Sequence, residues 1–282
     1  MSITMARSQT EIVHPGSRHG FDDAESCASC QGEPTLTVVD LFAGEMNWSR
    51  PASDRSHVTW SSDFDPVYGT DHVGDARELR GQTILDAVGP VDLLLASPPC
   101  QGFTVARIGR NWNHDRTPKT AKAELGMELV ASVLRIVEEV KPTYWLMENP
   151  VGMLRKLPLV AGLPHRSVTY CSYGRKFRKP TDLWGDAPPS MRFEPMCDAY
   201  ASKVKVTASD GVEWCCSRST GLPCHVASPR GSTTGVQGHK RLESTAIPYP
   251  LAWDVTVAAE ADVMAGGQRS EGPSQGTLGW KM

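Results

Sequence analysis

The sequence predicts an α/β fold: a mostly parallel sheet with helices on both faces, joined to a small irregular domain. Three observations predict it. Short runs that are apolar throughout end in clusters of polar and small residues, the pattern of strands buried on both faces. Segments with helical spacing alternate with these runs, as a parallel sheet requires. Beyond about residue 158, Pro, Gly, Ser and Arg rise and the helical period fades, so a second, looser unit is expected there.

Taken in order, residues 1–34 are polar and aperiodic and read as a mobile arm. TLTVVDLFAG (35–44) holds an apolar run at 36–39, then Asp40 and Gly44, and reads as a buried strand entering a tight loop. HVTW (57–60) is a second short strand and ELRGQTILDAVG (78–89) a weak helix. VDLLLAS (91–97) is the strongest strand, stopped by Pro98 and Pro99. Residues 121–140 form the best helix, with Leu125, Leu129, Val133, Ile136, Val137 and Val140 on one face and Lys141-Pro142 at its end. TYWLME (143–148) is a fourth strand, closed by Asn149-Pro150. The division is therefore an α/β unit over 35–159, an irregular region over 160–245, a helix over 246–264 returning to the first unit, and a flexible tail over 265–282.

Composition narrows the function. With 29 Lys and Arg against 32 Asp and Glu the net charge is −3, which excludes binding nucleic acid by overall charge but allows a local basic patch. At 40% apolar residues the chain can bury a core, so global disorder is excluded. No run of apolar residues is long enough for a membrane span, and the first twenty residues carry no apolar signal core. A cytoplasmic protein is expected, with its eight cysteines reduced, metal-bound or nucleophilic.

In open parallel sheets ligands sit beyond the carboxyl ends of the strands, so the polar residues there are the candidates. Asp40, Phe42, Ala43 and Gly44 follow the first strand, and Asp63 follows the second, nineteen residues past Gly44. That spacing suits a carboxylate on a ribose hydroxyl. Neither phosphate-cradling glycine motif is present. The ligand expected is nucleoside-like without a pyrophosphate, and S-adenosylmethionine fits; a plain turn with solvated acids is the alternative. Cys100 follows two prolines that fix the exit of the loop. A thiol there, near a cation or helix N-terminus, is a nucleophile; the alternative is a buried structural Cys. Glu148 and Asn149 end the next strand, which puts a carboxylate near the thiol and favours a reaction centre.

DLFAG (40–44), SPPCQGF (97–103), ENP (148–150) and YGRKFRKPTDLWG (173–185) resemble, in order and spacing, the DNA (cytosine-5) methyltransferases. IPYPLAWDV (247–255) is similar to that family's last cofactor-pocket helix. Cys224-His225, Pro229-Arg230-Gly231-Ser232 and Gly235-Val236-Gln237-Gly238 are arranged as in its compact phage and mobile-element members. The resemblance implies a Rossmann-like catalytic domain, S-adenosylmethionine as cofactor, double-stranded DNA as partner, a monomer, a bacterial or phage-infected host cell, and a target-recognition region at 160–245. It implies attack of Cys100 on C6 of a flipped cytosine, with Pro99 and Gln101 in the catalytic turn, Glu148 on N3 and the exocyclic amine, and Asn149 holding the loop. Asp40, Ala43 and Gly44 would shape the cofactor loop, with Phe42 against adenine, Asp63 on the ribose, Asp75 near the adenine amine and Pro98 on the methyl-donor side.

The chain departs from that pattern in places. Glu45-Met46-Asn47-Trp48-Ser49 stands where the family continues with glycines, and ENP replaces the more frequent ENV. The family's Gln-x-Arg-x-Arg element is missing; Arg175, Lys176, Arg178 and Lys179 occupy its place, for DNA phosphates or support of the Glu. Three alternatives stay open: a cytosine-5 RNA methyltransferase, transfer of a different one-carbon group, and a non-catalytic DNA-binding relative.

Residues 102–122 read as a mobile loop over a flipped base, with Arg107, Arg110, Arg116 and Lys119 toward phosphate and Trp112 available to stack. A zinc site from Cys197, Cys215 or Cys216, Cys224 and His225 is one reading of the later cysteines; separate thiols are the favoured one, and Cys27-x-x-Cys30 alone is weak.

Overall fold

The structure, a computed structural model, describes residues 35–198, 205–207, 213–216, 223–226 and 246–266. The arm at 1–34, the tail beyond 266, Cys27-x-x-Cys30 and the PRGS and GVQG segments lie outside the described residues.

The first strand, β1 (Thr37–Leu41), is central, with β2 (Val58–Asp63) and the short β3 (His72–Val73) on one side. On the other side lie β4 (Leu93–Ala96) and β5 (Tyr144–Pro150), all parallel to β1. Two further strands, β6 (His165–Thr169) and β7 (Pro180–Trp184), complete a seven-stranded sheet of order β3-β2-β1-β4-β5-β7-β6 in which β7 is antiparallel to both neighbours. This is the Rossmann-like α/β architecture the sequence predicts.

Alternation of side chains along the strands builds a core on each face. Val39, Leu41, Leu94, Ala96, Trp145 and Met147 face one way. They meet Ile84 of α2 (Gly81–Val88) and Val130, Val133 and Ile136 of α4 (Ala121–Val140). Val38, Leu93, Leu95, Tyr144 and Leu146 face the other way. They meet Ala52 of α1 (Arg50–Asp54) and Leu251, Ala252, Val255 and Ala259 of α5 (Tyr249–Met264). Thr120 caps α4, its hydroxyl accepting from Ala123 N, and Lys141 ends it in the left-handed conformation just before Pro142. A short α3 (Ile108–Asn111) lies in the β4–α4 connection.

The change of texture near residue 158 does not end the sheet. Hydroxyl-rich HRSVT and PTDLW pair as β6 and β7, where buried Asp182 accepts from Ser167 and Arg155 and buried Thr181 donates to Lys179 O. Beyond them a separate three-stranded antiparallel sheet comprises β8 (Lys205–Thr207), β9 (Glu213–Cys216) and β10 (Pro223–Val226).

Candidate active site

Chain order reverses between β1 and β4, the position at which open α/β sheets bind ligands. At this carboxyl edge a cleft of about 150 Å³ is lined by Phe42, Ala43 and Gly44 after β1, Ser97 after β4, Tyr68, and Ile247 before α5. Phe42 and Gly44 both adopt positive φ, 57° and 50°, so the backbone turns sharply as it leaves β1. The residues in place of the usual glycines close the wall: Trp48 is buried and donates from Nε1 to Ser97 Oγ at 2.8 Å. Asp63 stands one bond behind the cleft. Its Oδ2 accepts from Gly44 N and its Oδ1 from Asp65 N, both at 2.9 Å, leaving lone pairs on each oxygen for a hydroxyl.

Asp40 is fully buried at the end of β1, its Oδ2 accepting from Ser49 N at 3.1 Å and Ser49 Oγ at 3.0 Å. Burial pushes its carboxyl up to about 7 against the opposing pull of those two bonds. Asp75 is not among the residues lining the cleft. Its carboxylate is clasped by the Arg77 guanidinium at 2.6–3.1 Å, which holds its pKa down and ties it to a surface pair with Glu128.

The residues expected to react lie one strand over. Pro98 is buried and Pro99 exposed; together they lead the chain into a single tight turn, Cys100–Gly102, with Cys100 half-buried and Gln101 exposed. Asn149 Nδ2 donates to Pro98 O at 3.0 Å, joining the Cys100 turn to β5. A second tie forms where Thr104 bridges Gly152 and Met153 N donates to Phe103 O at 2.7 Å. Only glycine fits at 152, since an added Cβ would meet Phe103 O at 2.2 Å.

Glu148 is 4% exposed, and its Oε1 accepts from Tyr170 Oη at 2.9 Å and Lys179 Nζ at 3.3 Å. The ammonium also lies 4.4 Å above the Tyr170 ring. Burial, then the charge of Glu148, raises the Tyr170 phenol well above its ordinary range, so it stays protonated and donates. A thiolate at Cys100 would raise it further.

The basic run at 175–179 does not face DNA as a block. Lys179 and Arg178 are each 8% exposed, and Lys179 turns inward to Glu148 because an ammonium buried there needs a carboxylate. Arg175 Nη2 donates to Ile247 O at 3.1 Å and Ala246 O at 3.4 Å, tying this segment to the start of α5. Lys176 alone of the four is exposed. Arg107 and Arg110 are exposed in the segment after Cys100, as are Arg116 and Lys119. That segment is anchored at several points. Buried Asn111 donates to Gln101 O and Gly102 O, and Arg116 donates to Lys156 O. Trp112 is buried, stacks on Phe103 and donates to Gly102 O, so it supports the turn and is not presented to a base.

Tyr170 is the site residue that sequence reasoning missed. Recognising HRSVT as a sheet strand would have found it, because Tyr170 immediately follows that strand.

Residues 36–158 match the family model of the C-5 cytosine-specific DNA methylase. The "Probable DNA (cytosine-5)-methyltransferase" of Frog virus 3 (isolate Goorha) is 28% identical over 156 residues, covering 54% of this chain and 71% of that protein. The type II methyltransferase M.AquIA of Picosynechococcus sp. is 39% identical over 85 residues, 29% of this chain and 30% of that one. The solved structure of Entamoeba histolytica methyltransferase EhMeth superposes with a TM-score of 0.41 at 12% identity, over 58% of this chain and 56% of that chain.

Proposed function

We propose that this chain, whose residues 36–158 match the C-5 cytosine-specific DNA methylase model, methylates C5 of a flipped cytosine in double-stranded DNA through a covalent Cys100 adduct. The observation that carries the reading is the joining of the Cys100 turn to a buried Glu148 that already holds two donors.

Cytosine C5 is a weak nucleophile, and the base cannot react while stacked. Attack of the Cys100 thiolate on C6 shifts the ring electrons toward C5 and N3. Glu148, within the Tyr170–Lys179 cluster and carrying or sharing a proton, donates to N3 and accepts from the exocyclic amine, which stabilises the charge arriving at N3. Tyr170 and Lys179 are positioning residues: they fix the carboxyl and keep its charge matched in a dry site. Asn149 fixes the path of the Cys100 turn through Pro98 O. Once C5 carries the methyl group, a base takes the C5 proton and the C6–S bond breaks, so that Cys100 leaves as thiolate and aromaticity is restored.

The cleft beside β1 and β4 suits S-adenosylmethionine, which supplies the methyl group when bound. Phe42 and Tyr68 offer faces for a base, Asp63 offers acceptor positions for ribose hydroxyls, and the backbone at Ala43 and Gly44 is open to close approach. Arg107, Arg110 and Lys176 are the exposed cations assigned to DNA phosphates, and the region from 186 onward, with its small sheet, is assigned to target recognition. The chain works as a monomer. Among the described residues no helix is long and apolar enough to cross a membrane.

Nucleoside mass spectrometry tests the reading. Duplex DNA incubated with S-adenosylmethionine and the protein yields 5-methyldeoxycytidine, and Cys100→Ala yields none. DNA bearing 5-fluorodeoxycytidine traps the wild-type chain covalently, because fluorine cannot leave as the proton does. Unmodified deoxycytidine with no trapped adduct overturns the reading, and methylation of tRNA in its place moves the substrate to RNA.

A further inference from the structure

The turn after β6 and the small sheet meet at a group of side chains that the methylation chemistry does not use. Cys171, Cys197, Cys224 and His225 bring three sulfurs and one imidazole nitrogen to within 4.8 Å of one another. Cys197 Sγ lies 3.1 Å from Cys224 Sγ and 3.7 Å from His225 Nδ1. Cys171, Cys197 and His225 are 8%, 8% and 5% exposed.

From this geometry we propose that Cys171, Cys197, Cys224 and His225 bind a structural zinc ion. Three thiolates and an imidazole form a closed tetrahedral set of the kind zinc prefers. With Zn–S near about 2.3 Å and Zn–N near about 2.0 Å, the edges of such a tetrahedron are roughly 3.5–3.8 Å, the scale of this cluster. Neutral thiols packed around a buried imidazole offer only weak hydrogen bonds, whereas a metal satisfies all four groups.

The backbone supplies a second, independent observation. Adjacent residues of a regular strand point to opposite faces, so Cys224 and His225 should not share a ligand. The β10–β9 register slips here: Pro223 pairs with Cys216 but His225 pairs with Cys215, two steps on one strand against one on the other. Such a bulge re-aims a side chain and lets neighbouring residues converge. Cys197 is also fixed from its backbone, its N–H donating to Thr169 Oγ1 at 2.8 Å.

The four ligands come from the β6 turn, the segment at 197 and β10, so the ion fastens the small sheet to the catalytic sheet. Its nearest link to the reaction is Tyr170, adjacent to Cys171 and donor to Glu148. The assignment does not rest on methyl transfer, because metal content is read on the chain itself.

The test is elemental analysis of full-length protein purified without chelator. Close to about one zinc per chain is expected, as in closed structural sites. Replacement by Co(II) in the wild-type chain should give the thiolate charge-transfer and d–d bands of a tetrahedral sulfur-rich site, a readout that needs no variant to fold. Cys224→Ser and His225→Ala should each lower zinc content at least about fivefold as a ligand is lost. Cys215→Ser, which removes a thiol packed beside the cluster but outside the four-ligand set, should retain it. A chain that takes up neither zinc nor Co(II), or a Cys224→Ser variant that keeps full zinc, overturns the proposal. So does a Cys197–Cys224 disulfide found in the unreduced chain by peptide mapping.

Discussion

The seven-stranded sheet and the three-stranded sheet hold themselves in different ways. In the first, β1, β4 and β5 are apolar on both faces and sandwiched between helices. Burial fixes their positions, and Cys100, Glu148 and Asn149 inherit that precision as residues at the ends of rigid strands. In the second, the described side chains around β9 and β10 form a small cluster of Cys171, Cys197, Cys215 and Cys224, with His225 beside them. Among the described side chains no aliphatic or aromatic group joins that cluster, and the proposed zinc ion would order it.

Breaking the larger sheet should have the largest effect. Gly185 closes β7 at φ 126°, and a Cβ there would stand 2.3 Å from Trp145 O. Gly185→Ala should cost several kcal/mol and lower Tm by about 10 °C or leave no soluble protein. A thermal melt within about 2 °C of wild type would show that this strand crossing is less constrained than its geometry demands. Next comes Lys179→Met, which leaves the buried Glu148 without its cation, a loss of about 3–5 kcal/mol by the cost of unpaired buried charge. Tyr170→Phe removes only one donor. Its expected cost is about 1–2 kcal/mol of stability, with kcat down roughly tenfold or more, KM for DNA unchanged and the pH profile of kcat displaced. An unmoved pH profile would reduce Tyr170 to packing. Chelation of the proposed zinc should act on the other side of the comparison: faster proteolysis within residues 205–226, with the melt of the catalytic sheet shifted by only a few degrees.

The main sheet is legible in the sequence because its strands are continuous apolar runs stopped by polar punctuation. The runs at 36–39, 91–97 and 143–148 became β1, β4 and β5, and the helix over 121–140 has the bounds its periodicity gives. The pairing of the Cys100 and Glu148 loops follows from adjacent strand ends, an inference topology alone supports. Strands β6 and β7 were hidden, since their hydroxyl and acidic residues bond one another inside the fold and so read as surface. The inward turn of Lys179 was hidden for the same reason: a cation in a basic run reads as solvated until its buried partner is seen. The proposed ligand set carries no regular spacing because its residues sit on three separate segments, and it holds Cys171 where the less favoured zinc reading of the sequence had Cys215 or Cys216.

The smallest effect asks whether burial in the main sheet is free of electrostatic strain. Asp40 Oδ2 holds both Ser49 bonds, while Oδ1 is buried with no partner among the described residues. Its pKa is raised by burial from 3.8 to about 7, so the native state retains a proton that the unfolded chain releases. The stability tied to this group is fully present below about pH 3.8 and is lost as the pH rises through about 7. His57 contributes the opposite slope, because burial lowers its pKa and the stability it supports is lost as the pH falls below about 6.5. Comparison with Asp40→Asn cancels the His57 contribution. Asn keeps an acceptor for Ser49 and cannot ionise, so the variant should lose at least about half of the wild-type fall in Tm between pH 5.5 and 8. Parallel pH profiles for the two proteins would mean that the carboxyl is charged throughout and that its surroundings solvate it better than the described contacts do. A flattened profile would mean that the carboxyl edge of the larger sheet holds a proton at the price of stability near neutral pH, a cost the apolar strands beside it offset.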